Sequence, residues 1–498
     1  MDAKPTIVWF RNDFRLEDNR ALSQAVLRGA PVIPVYIYAP NEEGDWPLGA
    51  ASRWWLHHSL AALDDDLRRR KSRLVIRRGP ALEALRSLIT ETGAVAAFWN
   101  RRYEPAISIR DRRIQQGLES AGVLVQTFNS SLLFEPDELR TGRGSPFQVF
   151  TPFWKTCLSK PSTEPVVDAP RQFVSPLSWP ASLPLDSLGL CSRIDWASGI
   201  RATWLPGEAG AAQALVSFCL NHLLSYEATR DKPASVGTSR LSPFLHFGEI
   251  GPRQVWQRVN AVRARTEDKS IWHSADAHLR QLGWREFAHH LLYHFPHTPL
   301  EPLRPRFKHF PWSSDAGALK AWQQGLTGYP IVDAGMRELW TTGWMHNRVR
   351  MIAASFLVKH LLIPWQEGAR WFWDTLVDAD LANNTLGWQW VAGCGADAAP
   401  YFRIFNPTLQ STRFDSEGKY IKRWVPELAN LPSRWVHDPS GAPPLTLSAA
   451  GVKLGENYPA PIVAHSFARQ RALAAYQIVR KEKEYRLAFA QSSLQIDS

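Results

Sequence analysis

The stretch Ile7-Val-Trp-Phe-Arg-Asn-Asp-Phe-Arg-Leu-Glu-Asp-Asn19 begins with four residues typical of a β-strand and then becomes polar. Similar short apolar runs recur along the first part of the chain: Val32–Tyr38, Arg73–Ile76, Val95–Trp99 and Val123–Phe128. Between them, Arg53–Arg70 and Pro80–Thr92 carry apolar residues at helical spacing. This alternation predicts an α/β domain with an open parallel sheet and helices on both faces.

The turn after the first strand has no Gly-x-Gly-x-x-Gly, so a conventional dinucleotide site is not expected there. From Lys160 to Pro206 the sequence is rich in Pro and Ser, which predicts a linker without regular elements. Beyond it, amphipathic patterns predict an all-α domain: Ala211–Leu224, His278–Tyr293, Trp344–Leu362 and Ala464–Ala488. We therefore predict an α/β domain at 1–130, an interdomain linker at 131–205 and a helical domain at 206–490.

The composition is that of a folded protein with two unusual features. The net charge is +11 over 498 residues, which is compatible with a polyanionic partner and equally with a basic protein that binds no nucleic acid. The 23 tryptophans exceed what packing requires, although indoles are bulky and demand hydrogen-bond partners. This excess suggests a use for tryptophan beyond filling a core.

The four cysteines are far apart and form no Cys-x-x-Cys: Cys157, Cys191, Cys219 and Cys394. This spacing argues against a zinc ribbon and against a secreted disulfide scaffold. The chain begins without a signal-peptide pattern, and no apolar segment is long enough to span a bilayer. We therefore expect a cytoplasmic protein without a membrane partner.

The stretch Asp378-Ala-Asp-Leu-Ala-Asn-Asn-Thr-Leu-Gly-Trp-Gln-Trp390 combines two carboxylates, three carboxamides and two indoles. A stretch that only filled a core would consist of Leu, Ile and Val, which have no polar atoms to satisfy. We therefore interpret this stretch as the wall of a pocket.

Two other motifs carry polar groups that suit a ligand. The run Gly237-Thr-Ser-Arg-Leu-Ser242 precedes a helical pattern, so its hydroxyls either bind phosphate or simply cap the helix. In His346-Asn-Arg-Val-Arg350, Asn347 and Arg350 occupy neighbouring helical positions. If Arg350 is buried, we expect it to pair with Asp378, because an unpaired buried charge is costly.

Trp284 lies in a helical pattern with Gln281 about one turn earlier. Trp284 and Trp390 would form a stacking platform for flat bases if they flank a cavity, whereas the simpler alternative is aromatic core. The same helix places Glu286, His290 and His294 at i, i+4 and i+8, a spacing compatible with metal binding. No separate ligand cluster accompanies them, so no metal site is predicted.

The sequence resembles the photolyase and cryptochrome flavoproteins over nearly its whole length. The resemblance rests on several motifs in the correct order: Trp9–Asn19, Gly237–Ser242, Gly328-Tyr-Pro-Ile-Val-Asp-Ala-Gly-Met-Arg337, Thr342-Gly-Trp-Met-His-Asn-Arg348, Asp378–Trp390 and Asp397-Ala-Ala-Pro-Tyr-Phe-Arg-Ile-Phe-Asn-Pro407. The stretches Leu48–Ser59 and Asp378–Leu381 resemble the bacterial class III photolyases, which are close to plant cryptochromes. The cysteines do not match the cluster ligands of the iron–sulfur branch.

The resemblance implies that the helical domain holds a bent FAD. Its phosphates and ribityl chain would be surrounded by Tyr226, Thr238, Ser239, Leu241 and Ser242. Its rings would be surrounded by Asn347, Arg350, Asp378 and Asp380. Asn384 matches the position that faces flavin N5, where photolyases have Asn, plant cryptochromes Asp and animal cryptochromes Cys. A neutral amide suits a flavin that must cycle through its reduced, anionic state.

The resemblance also assigns electron-transfer and DNA-binding residues. The tryptophan relay that reduces an excited flavin from the surface maps onto Trp388, Trp365 and Trp312, and it is not catalytic in repair. A dimer flipped out of UV-damaged DNA would meet Trp284, Trp390, Met351 and Asn347. The flanking phosphates would meet Arg230, Arg348 and Arg403. The implied catalytic set is Gln281, Trp284, Asn347 and Asn384.

Gln281 departs from the family pattern. Class I enzymes for cyclobutane dimers have Glu at this position, whereas (6-4) photolyases usually have Gln. A Gln can still donate through its amide but is a weaker proton source. Against a (6-4) photolyase, the active-site His pair of those enzymes matches Asn347 and Met351, and neither can act as an acid. We therefore predict light-driven repair of cyclobutane pyrimidine dimers.

A cryptochrome-type blue-light receptor is the main alternative function, with a (6-4) photolyase and a flavin-free DNA-binding protein ranked below it. Asn384, Trp284 and the lack of a long C-terminal extension favour the enzyme, while Gln281 slightly favours the receptor. Glu104 matches a position that contacts 5,10-methenyltetrahydrofolate in some relatives, although it is equally compatible with an ordinary surface Glu. We expect a monomer in the bacterial cytoplasm that associates with the nucleoid when bound to DNA.

Overall fold

The computed structural model of the protein describes residues 4–160 and 164–494, so that Pro161 of the predicted linker lies outside the described residues. The chain divides into two compact units, each made of separate stretches of sequence. Unit 1 comprises the described part of Met1–Ala228, Gly237–Pro296 and Trp373–Ala382. Unit 2 comprises Thr229–Val236, His297–Phe372 and the described part of Asn383–Ser498. The predicted domain boundaries at residues 130 and 205 remain a prediction.

Unit 1 contains a parallel sheet of five strands among the described residues. The strands are β1 Thr6–Phe10, β2 Val32–Tyr38, β3 Val75–Arg78, β4 Ala96–Asn100 and β5 Leu124–Phe128. Their order across the sheet is β3-β2-β1-β4-β5, with Ile7 of the central strand paired to Ile33 and Ala97. The first helices are α1 Arg20–Leu27, α2 Ala50–Arg69, α3 Ala81–Thr92 and α4 Pro105–Glu119. This arrangement confirms the α/β class.

The burial of the sheet explains the apolar run with which the chain's first strand begins. All five residues of β1 are buried, and a strand covered on both faces needs a nearly continuous apolar sequence. Ile7 and Trp9 join a core cluster with Leu85 of α3 and Ile114 of α4. Helix α1 also packs on β1 and β4. Because helices cover β1, its residues must be apolar, and this apolar run is the pattern from which the strand was predicted.

The polar residues after β1 hold its carboxyl end. Asp13 accepts a hydrogen bond from the side-chain amide of Asn100 at 2.6 Å, and Asn19 caps the first turn of α1. Arg15 donates to the carbonyl of Gly248 at 2.9 Å. Asp13, Asn19 and the two terminal nitrogens of Arg15 thus find their partners within unit 1, as most buried polar groups do.

Helices dominate the rest of the described chain. The next helices are α5 Phe150–Ser159, α6 Ser198–Thr203, α7 Glu208–Asn221, α8 Tyr226–Thr229, α9 Ser242–His246, α10 Pro252–Arg263 and α11 Lys269–His294. They are followed by α12 Ala316–Gln324, α13 Pro330–Thr342, α14 Asn347–Ser355, α15 Trp365–Thr375, α16 Leu381–Ala392, α17 Pro407–Phe414, α18 Lys419–Trp424, α19 Ser433–Val436, α20 Pro444–Ala449 and α21 His465–Leu494. No strand follows β5 in the described chain, which confirms the all-α second part. None of the described helices has the length and apolar character needed to cross a membrane.

Two element predictions were wrong. The segment Lys160–Pro206 was expected to lack regular elements, yet it contains a 3₁₀ turn at Leu185–Leu188 and helix α6. The pattern Trp344–Leu362 was expected to be one helix. Instead α14 begins at Asn347, capped by His346, and gives way to a π-helical turn at Phe356–His360. Apolar spacing does not report such local changes of the hydrogen-bond ladder.

The π-helical turn directs Lys359 into the interior of unit 2. Its side chain is buried, and Nζ donates to the carbonyl of Arg403 at 2.9 Å. The ammonium group lies 5.3 Å from the centre of the Tyr401 ring. Burial, followed by the charge of Arg403, lowers the pKa of Lys359 to about 7. The charged form of Lys359 therefore lowers the free energy of unfolding relative to a neutral side chain at the same position.

Lys359→Met is expected to stabilise the protein more at about pH 7.5 than at about pH 9.5. An unfolded lysine keeps its proton up to about pH 10.4, whereas the folded one has a pKa of about 7. Between these values the unfolded wild type binds more protons, so its free energy of unfolding rises with pH by at most about 1.4 kcal/mol per unit. Urea unfolding at both pH values measures this slope.

The variant lacks the titrating group, so its advantage over the wild type shrinks as the pH rises. Lys320→Met is the matched control, because Lys320 is exposed to solvent. An equal stability difference between Lys359→Met and wild type at the two pH values would contradict the prediction.

Candidate functional site

The predicted site residues fall in both units. Those of unit 1 are Glu104, Tyr226, Thr238, Ser239, Leu241, Ser242, Gln281, Trp284, Asp378 and Asp380. Those of unit 2 are Arg230, Trp312, Asn347, Arg348, Arg350, Met351, Trp365, Asn384, Trp388, Trp390 and Arg403.

The loop Gly237–Ser242 contains hydroxyls predicted to contact FAD. Arg240 has a left-handed backbone conformation with φ 53°, and buried Leu241, which has no capping group, precedes α9. The alternative that the hydroxyls merely cap this helix is therefore wrong. Ser242 Oγ instead donates to Asp378 Oδ2 at 2.6 Å. The structure thus brings a residue of the predicted phosphate loop to a carboxylate of the predicted pocket wall.

The remaining residues around this loop differ in exposure. Tyr226 is buried, with its ring edge-on to Phe218 at 5.6 Å between centroids. Thr238 and Ser239 are half-buried. This is the exposure expected of a pocket lining, in which an anchored apolar residue supports polar groups that remain reachable.

Asp380 lies between two buried imidazoles that the sequence did not point to. His246 Nδ1 is 3.6 Å from Asp380 Oδ2, and His289 Nε2 is 3.4 Å from the same oxygen. Burial by itself raises the pKa of a carboxyl group, but the two histidines outweigh it and hold the pKa of Asp380 well below its usual range. Asp380 is therefore ionised at neutral pH. The three residues are too far apart in sequence for spacing to reveal their contact.

Trp284 rests on an aromatic neighbour. Its ring stacks on Phe150 with 3.7 Å between centroids and an interplanar angle of 7°. Helix α11 approaches α5 closely here, because a Cβ at Gly283 would lie 2.5 Å from the Trp154 ring. Trp284 itself is half-buried. One indole face is therefore braced, as a stacking platform requires.

Helix α5 was missed by the sequence prediction, which assigned residues 131–205 to a linker. The signal was present: Phe150, Phe153 and Trp154 follow the i, i+3, i+4 spacing of a helix face. All three are buried. The spacing was overlooked because the segment is short and precedes a Pro-rich stretch.

Gln281 is half-buried on α11, and its amide is already engaged. Nε2 donates to the carbonyl of Ala277, one turn earlier in the same helix, at 3.0 Å. Because the amide nitrogen is bonded to the helix backbone, the side-chain carbonyl oxygen points away from Ala277. Gln281 thus keeps its carbonyl oxygen as an acceptor and one of its two N–H groups as a donor.

The residues spaced like metal ligands on α11 have structural roles. Glu286 Oε2 accepts from the backbone N–H of Leu133 at 2.9 Å. His290 accepts a hydrogen bond from Phe147 N–H at 3.0 Å. Burial is the main cause, and the neighbouring His294 the second, that lowers the pKa of His290 to about 3. Within residues 4–160 and 164–494, no group of three or more His, Cys, Asp or Glu side chains has the arrangement of a metal site.

Helix α14 presents four predicted site residues in unit 2. Arg350 is half-buried, and its Nε donates to the carbonyl of Met345 at 2.7 Å. Asn347 is exposed, and Met351 is half-buried one turn later. The neighbouring placement of Asn347 and Arg350 on one helix is as predicted.

The arginines predicted to contact DNA phosphates differ in their surroundings. Arg348 forms an ion pair of 2.9 Å with Asp231, which follows Arg230 in sequence. Its guanidinium lies 4.4 Å from the centre of the Phe414 ring. Arg403 is exposed in the loop before α17. Arg348 therefore has a carboxylate partner that a phosphate would have to replace, whereas Arg403 is directly accessible.

The tryptophans of the predicted relay become less buried in the predicted order. Trp388 and Trp365 are each 2% exposed, and Trp312 is half-buried. Trp388 packs edge-on to Phe372 at 5.0 Å, and a Cβ at Gly368 would lie 2.0 Å from its ring. This gradient is the one expected of a path from an interior cofactor to solvent.

Asn384 and Trp390 flank Trp388 on α16. Asn384 Nδ2 donates to the carbonyl of Ala369 at 3.0 Å, which directs the amide oxygen away from that helix. Gln389 fixes this end of α16 by accepting from Leu303 N–H at 2.9 Å. Trp390 is half-buried, whereas Trp388 is buried. The two indoles therefore lie in different environments, as their different predicted roles require.

Glu104 begins α4 as a charged, half-buried residue. Arg102 Nη2 lies 2.7 Å from its Oε1. Burial alone would raise the pKa of Glu104, but Arg102 lowers it to about 2. A cavity of about 700 Å³ opens beside Tyr103 and Pro105, the two sequence neighbours of Glu104.

Two family models match the chain. The model described as DNA photolyase matches residues 6–171, and the one described as FAD binding domain of DNA photolyase matches residues 278–478. The first spans the sheet of unit 1. The second includes Gln281, Trp284 and the Asp378–Trp390 stretch.

Individual relatives are similar over nearly the full length. A deoxyribodipyrimidine photo-lyase of Agrobacterium fabrum is 49% identical over 96% of this chain and 98% of its own. Cryptochrome-2 of Arabidopsis thaliana is 42% identical over 96% of this chain and 79% of its own. The crystal structure of a bacterial class III photolyase from Agrobacterium tumefaciens matches 97% of this chain and 98% of its own with a TM-score of 0.93 and 48% identity. The resemblance inferred from the motifs is confirmed, and the chain belongs to the photolyase and cryptochrome family.

Proposed function

We propose that the protein is a light-driven DNA repair enzyme that splits cyclobutane pyrimidine dimers in UV-damaged DNA with reduced FAD. The observation that carries the proposal is the Trp284 platform, a half-buried indole braced on one face by Phe150 at 3.7 Å. A photoreceptor has no need of a rigid aromatic surface for bases, whereas an enzyme that accepts a flipped dimer does.

The residues of the predicted pocket fit FAD. Ribose hydroxyls and the ring N3–H of flavin are donors, and the buried carboxylates Asp378 and Asp380 are acceptors. The hydroxyls of Thr238 and Ser239 lie in a loop that the helix does not use for capping. When bound, FAD supplies the electron for ring opening after it has been reduced and excited by blue light.

The chain's own residues then have distinct tasks. We assign Trp284 and Trp390 to stacking on the dimer, Met351 and Asn347 to further contacts with it, and Gln281 to hydrogen bonding with its bases. Asn384 presents its amide oxygen, which can accept a hydrogen bond from a protonated flavin N5. We assign the remaining roles to residues whose environments were given above: phosphate contacts to Arg230, Arg348 and Arg403, cofactor contacts to Tyr226, Leu241, Ser242 and Arg350, and photoreduction to Trp388, Trp365 and Trp312.

We also propose the setting in which the enzyme acts. Its domains would be those expected from the sequence, 1–130, 131–205 and 206–490. It would be a monomer in the bacterial cytoplasm, associated with the nucleoid when bound to DNA. A 5,10-methenyltetrahydrofolate antenna near Glu104 is supported by the cavity beside it. Because Arg102 already neutralises Glu104, the antenna would share this carboxylate rather than bind a free charge.

The test uses the purified, flavin-loaded protein and two oligonucleotides, one with a cyclobutane thymine dimer and one with a (6-4) lesion. We expect loss of the cyclobutane dimer under blue light and not in darkness. Bound flavin without repair of either lesion would favour the second candidate, a cryptochrome-type receptor. That candidate is favoured by one observation, the amide of Gln281 held by its own helix. Repair of the (6-4) lesion alone would mean that the roles of Asn347 and Met351 are misjudged.

Gln281→Glu is expected to increase the number of dimers repaired per absorbed photon by about two- to tenfold. The reason is that a carboxyl group in its protonated form can donate to the negatively charged dimer a hydrogen bond worth about 0.5–1.5 kcal/mol more than the engaged amide provides. The control is Gln257→Glu, the same substitution at an exposed position. Equal repair by Gln281→Glu and wild type would show that the substitution in this chain is unimportant.

A further inference from the structure

Three buried side chains in unit 1 form a cluster to which the proposed mechanism gives no proton-transfer role. The side chains of His246, His289 and Asp380 expose only 4%, 8% and 10% of their surface. Both imidazoles reach the same oxygen, Asp380 Oδ2, at 3.6 and 3.4 Å. Among the described residues, His246 Nε2 and His289 Nδ1 have no hydrogen-bond partner. Two ring nitrogens are thus buried without the partner that such groups ordinarily have.

The charged and titratable neighbours make this cluster acidic. Asp380 N–H donates to the carbonyl of Asp378, another buried acid. Tyr103 lies edge-on to His289 at 6.4 Å, and Glu104 follows it close enough to interact with Asp380.

Two arginines compensate part of this negative charge. Glu286, which precedes His289 on α11, interacts with His289 and lies 3.8 Å from Arg285. Arg102 neutralises Glu104. His246 and His289 are therefore the proton-accepting side chains in direct contact with Asp380.

We propose that His246 and His289 take up one proton together with Asp380 when the flavin is reduced, and so act as positioning residues that compensate its charge. This inference rests on the proposed function, because it requires FAD beside Asp380. Reduction adds two electrons and one proton to FAD and leaves one negative charge on the ring system. A new buried negative charge favours protonation of a nearby imidazole. Both protons come from solvent, and dithionite supplies the two electrons through a redox dye as mediator.

The test is the pH dependence of the flavin's two-electron midpoint potential. One proton per two electrons shifts the potential by about 30 mV for each tenfold change in proton concentration. The proton that the flavin itself takes up gives this slope of about 30 mV per pH unit, and a second proton taken up by the histidine pair doubles it. We therefore expect about 60 mV per pH unit for the flavin-loaded wild type over part of the range from about pH 6 to about pH 9.

His246→Gln, His289→Gln and the double variant are expected to lower the slope towards about 30 mV per pH unit. His294→Gln is the matched control, because His294 lies on the same helix but contacts Pro136 O at 3.0 Å and not Asp380. The control should keep the steep slope. Flavin absorbance and thermal unfolding are measured for every variant, so that loss of the cofactor is not mistaken for a change in slope.

A wild-type slope of about 30 mV per pH unit throughout the range overturns the inference without any variant. A double variant that keeps the steep wild-type slope overturns it as well. If FAD binds and dimers are repaired but the slope is shallow, only this inference fails. If the protein binds no flavin under any condition, both the inference and the proposed function fail.

Discussion

Gly368→Ala is expected to destabilise the protein by about 3 kcal/mol and to displace Trp388, the first member of the predicted relay. The added Cβ would lie 2.0 Å from the Trp388 ring. The indole cannot move aside easily, because it is 2% exposed and packs against Phe372 and Trp322. Overpacking of a rigid core usually costs about 1–3 kcal/mol, and a contact this short lies at the upper end.

The matched control is Gly387→Ala, which adds the same methyl group one residue before Trp388. Among the described residues, no atom lies within 4 Å of a Cβ at Gly387, which is exposed on helix α16. Replacing Gly in a helix by Ala removes freedom from the unfolded chain, so this variant should be more stable by up to about 1 kcal/mol.

Urea unfolding of both variants, together with flavin photoreduction in blue light, measures the two effects of the glycine exchange. Gly368→Ala should also reduce the rate of photoreduction, while Gly387→Ala should not. Similar unfolding free energies for the two variants would contradict the prediction, because they would mean that Trp388 can move aside for the added methyl group.

Trp284→Ala is expected to weaken binding of dimer-containing DNA by about ten- to a hundredfold. Stacking of a base on an aromatic side chain contributes about 1–3 kcal/mol, and every 1.4 kcal/mol is a factor of ten. Binding of undamaged DNA should change little, because its affinity comes mainly from phosphate contacts. The loss should therefore appear as loss of discrimination between damaged and undamaged DNA, measured in the dark by fluorescence anisotropy.

Trp272→Ala is the matched control for the Trp284 experiment. Trp272 lies on the same helix, is 41% exposed and donates from Nε1 to the carbonyl of Thr266. It should leave binding of both DNAs unchanged. An equal loss for damaged and undamaged DNA in Trp284→Ala would mean that the indole shapes the DNA surface and does not contact the lesion.

The strands could be predicted because burial on both faces leaves a clear apolar record. β2 was predicted to the residue, and β1 and β4 to within one residue at each end. β3 was displaced by two residues, because its bounds are set by pairing Val75 with Val35 and continue into polar Arg77 and Arg78. At an edge strand, hydrogen bonding to one neighbour and not burial decides where the strand ends.

The candidate site was predictable only where a motif carried it. Ser242 and Asp378 were each identified from a motif, and the structure joins them at 2.6 Å. The histidines around Asp380 were not identified, because neither His246 nor His289 stands in a pattern that distinguishes a ligand from a core residue. Likewise, the support of Trp284 by Phe150 depends on a helix that sequence patterning assigned to a linker.

The discontinuity of unit 1 has a consequence for how the protein is made. Its last segment, Trp373–Ala382, follows the preceding segment, which ends at Pro296, after the 76 residues 297–372, so at about 5–20 residues per second it leaves the ribosome roughly 4–15 s later. Until then the first turn of α2 lacks Asp374, which accepts from Ala50 N–H at 2.8 Å, and Trp46 lacks its ring contact with Trp373. The nascent chain therefore holds an incomplete first unit for many seconds, and the two acids predicted to bind the cofactor are delivered by the segment that completes it.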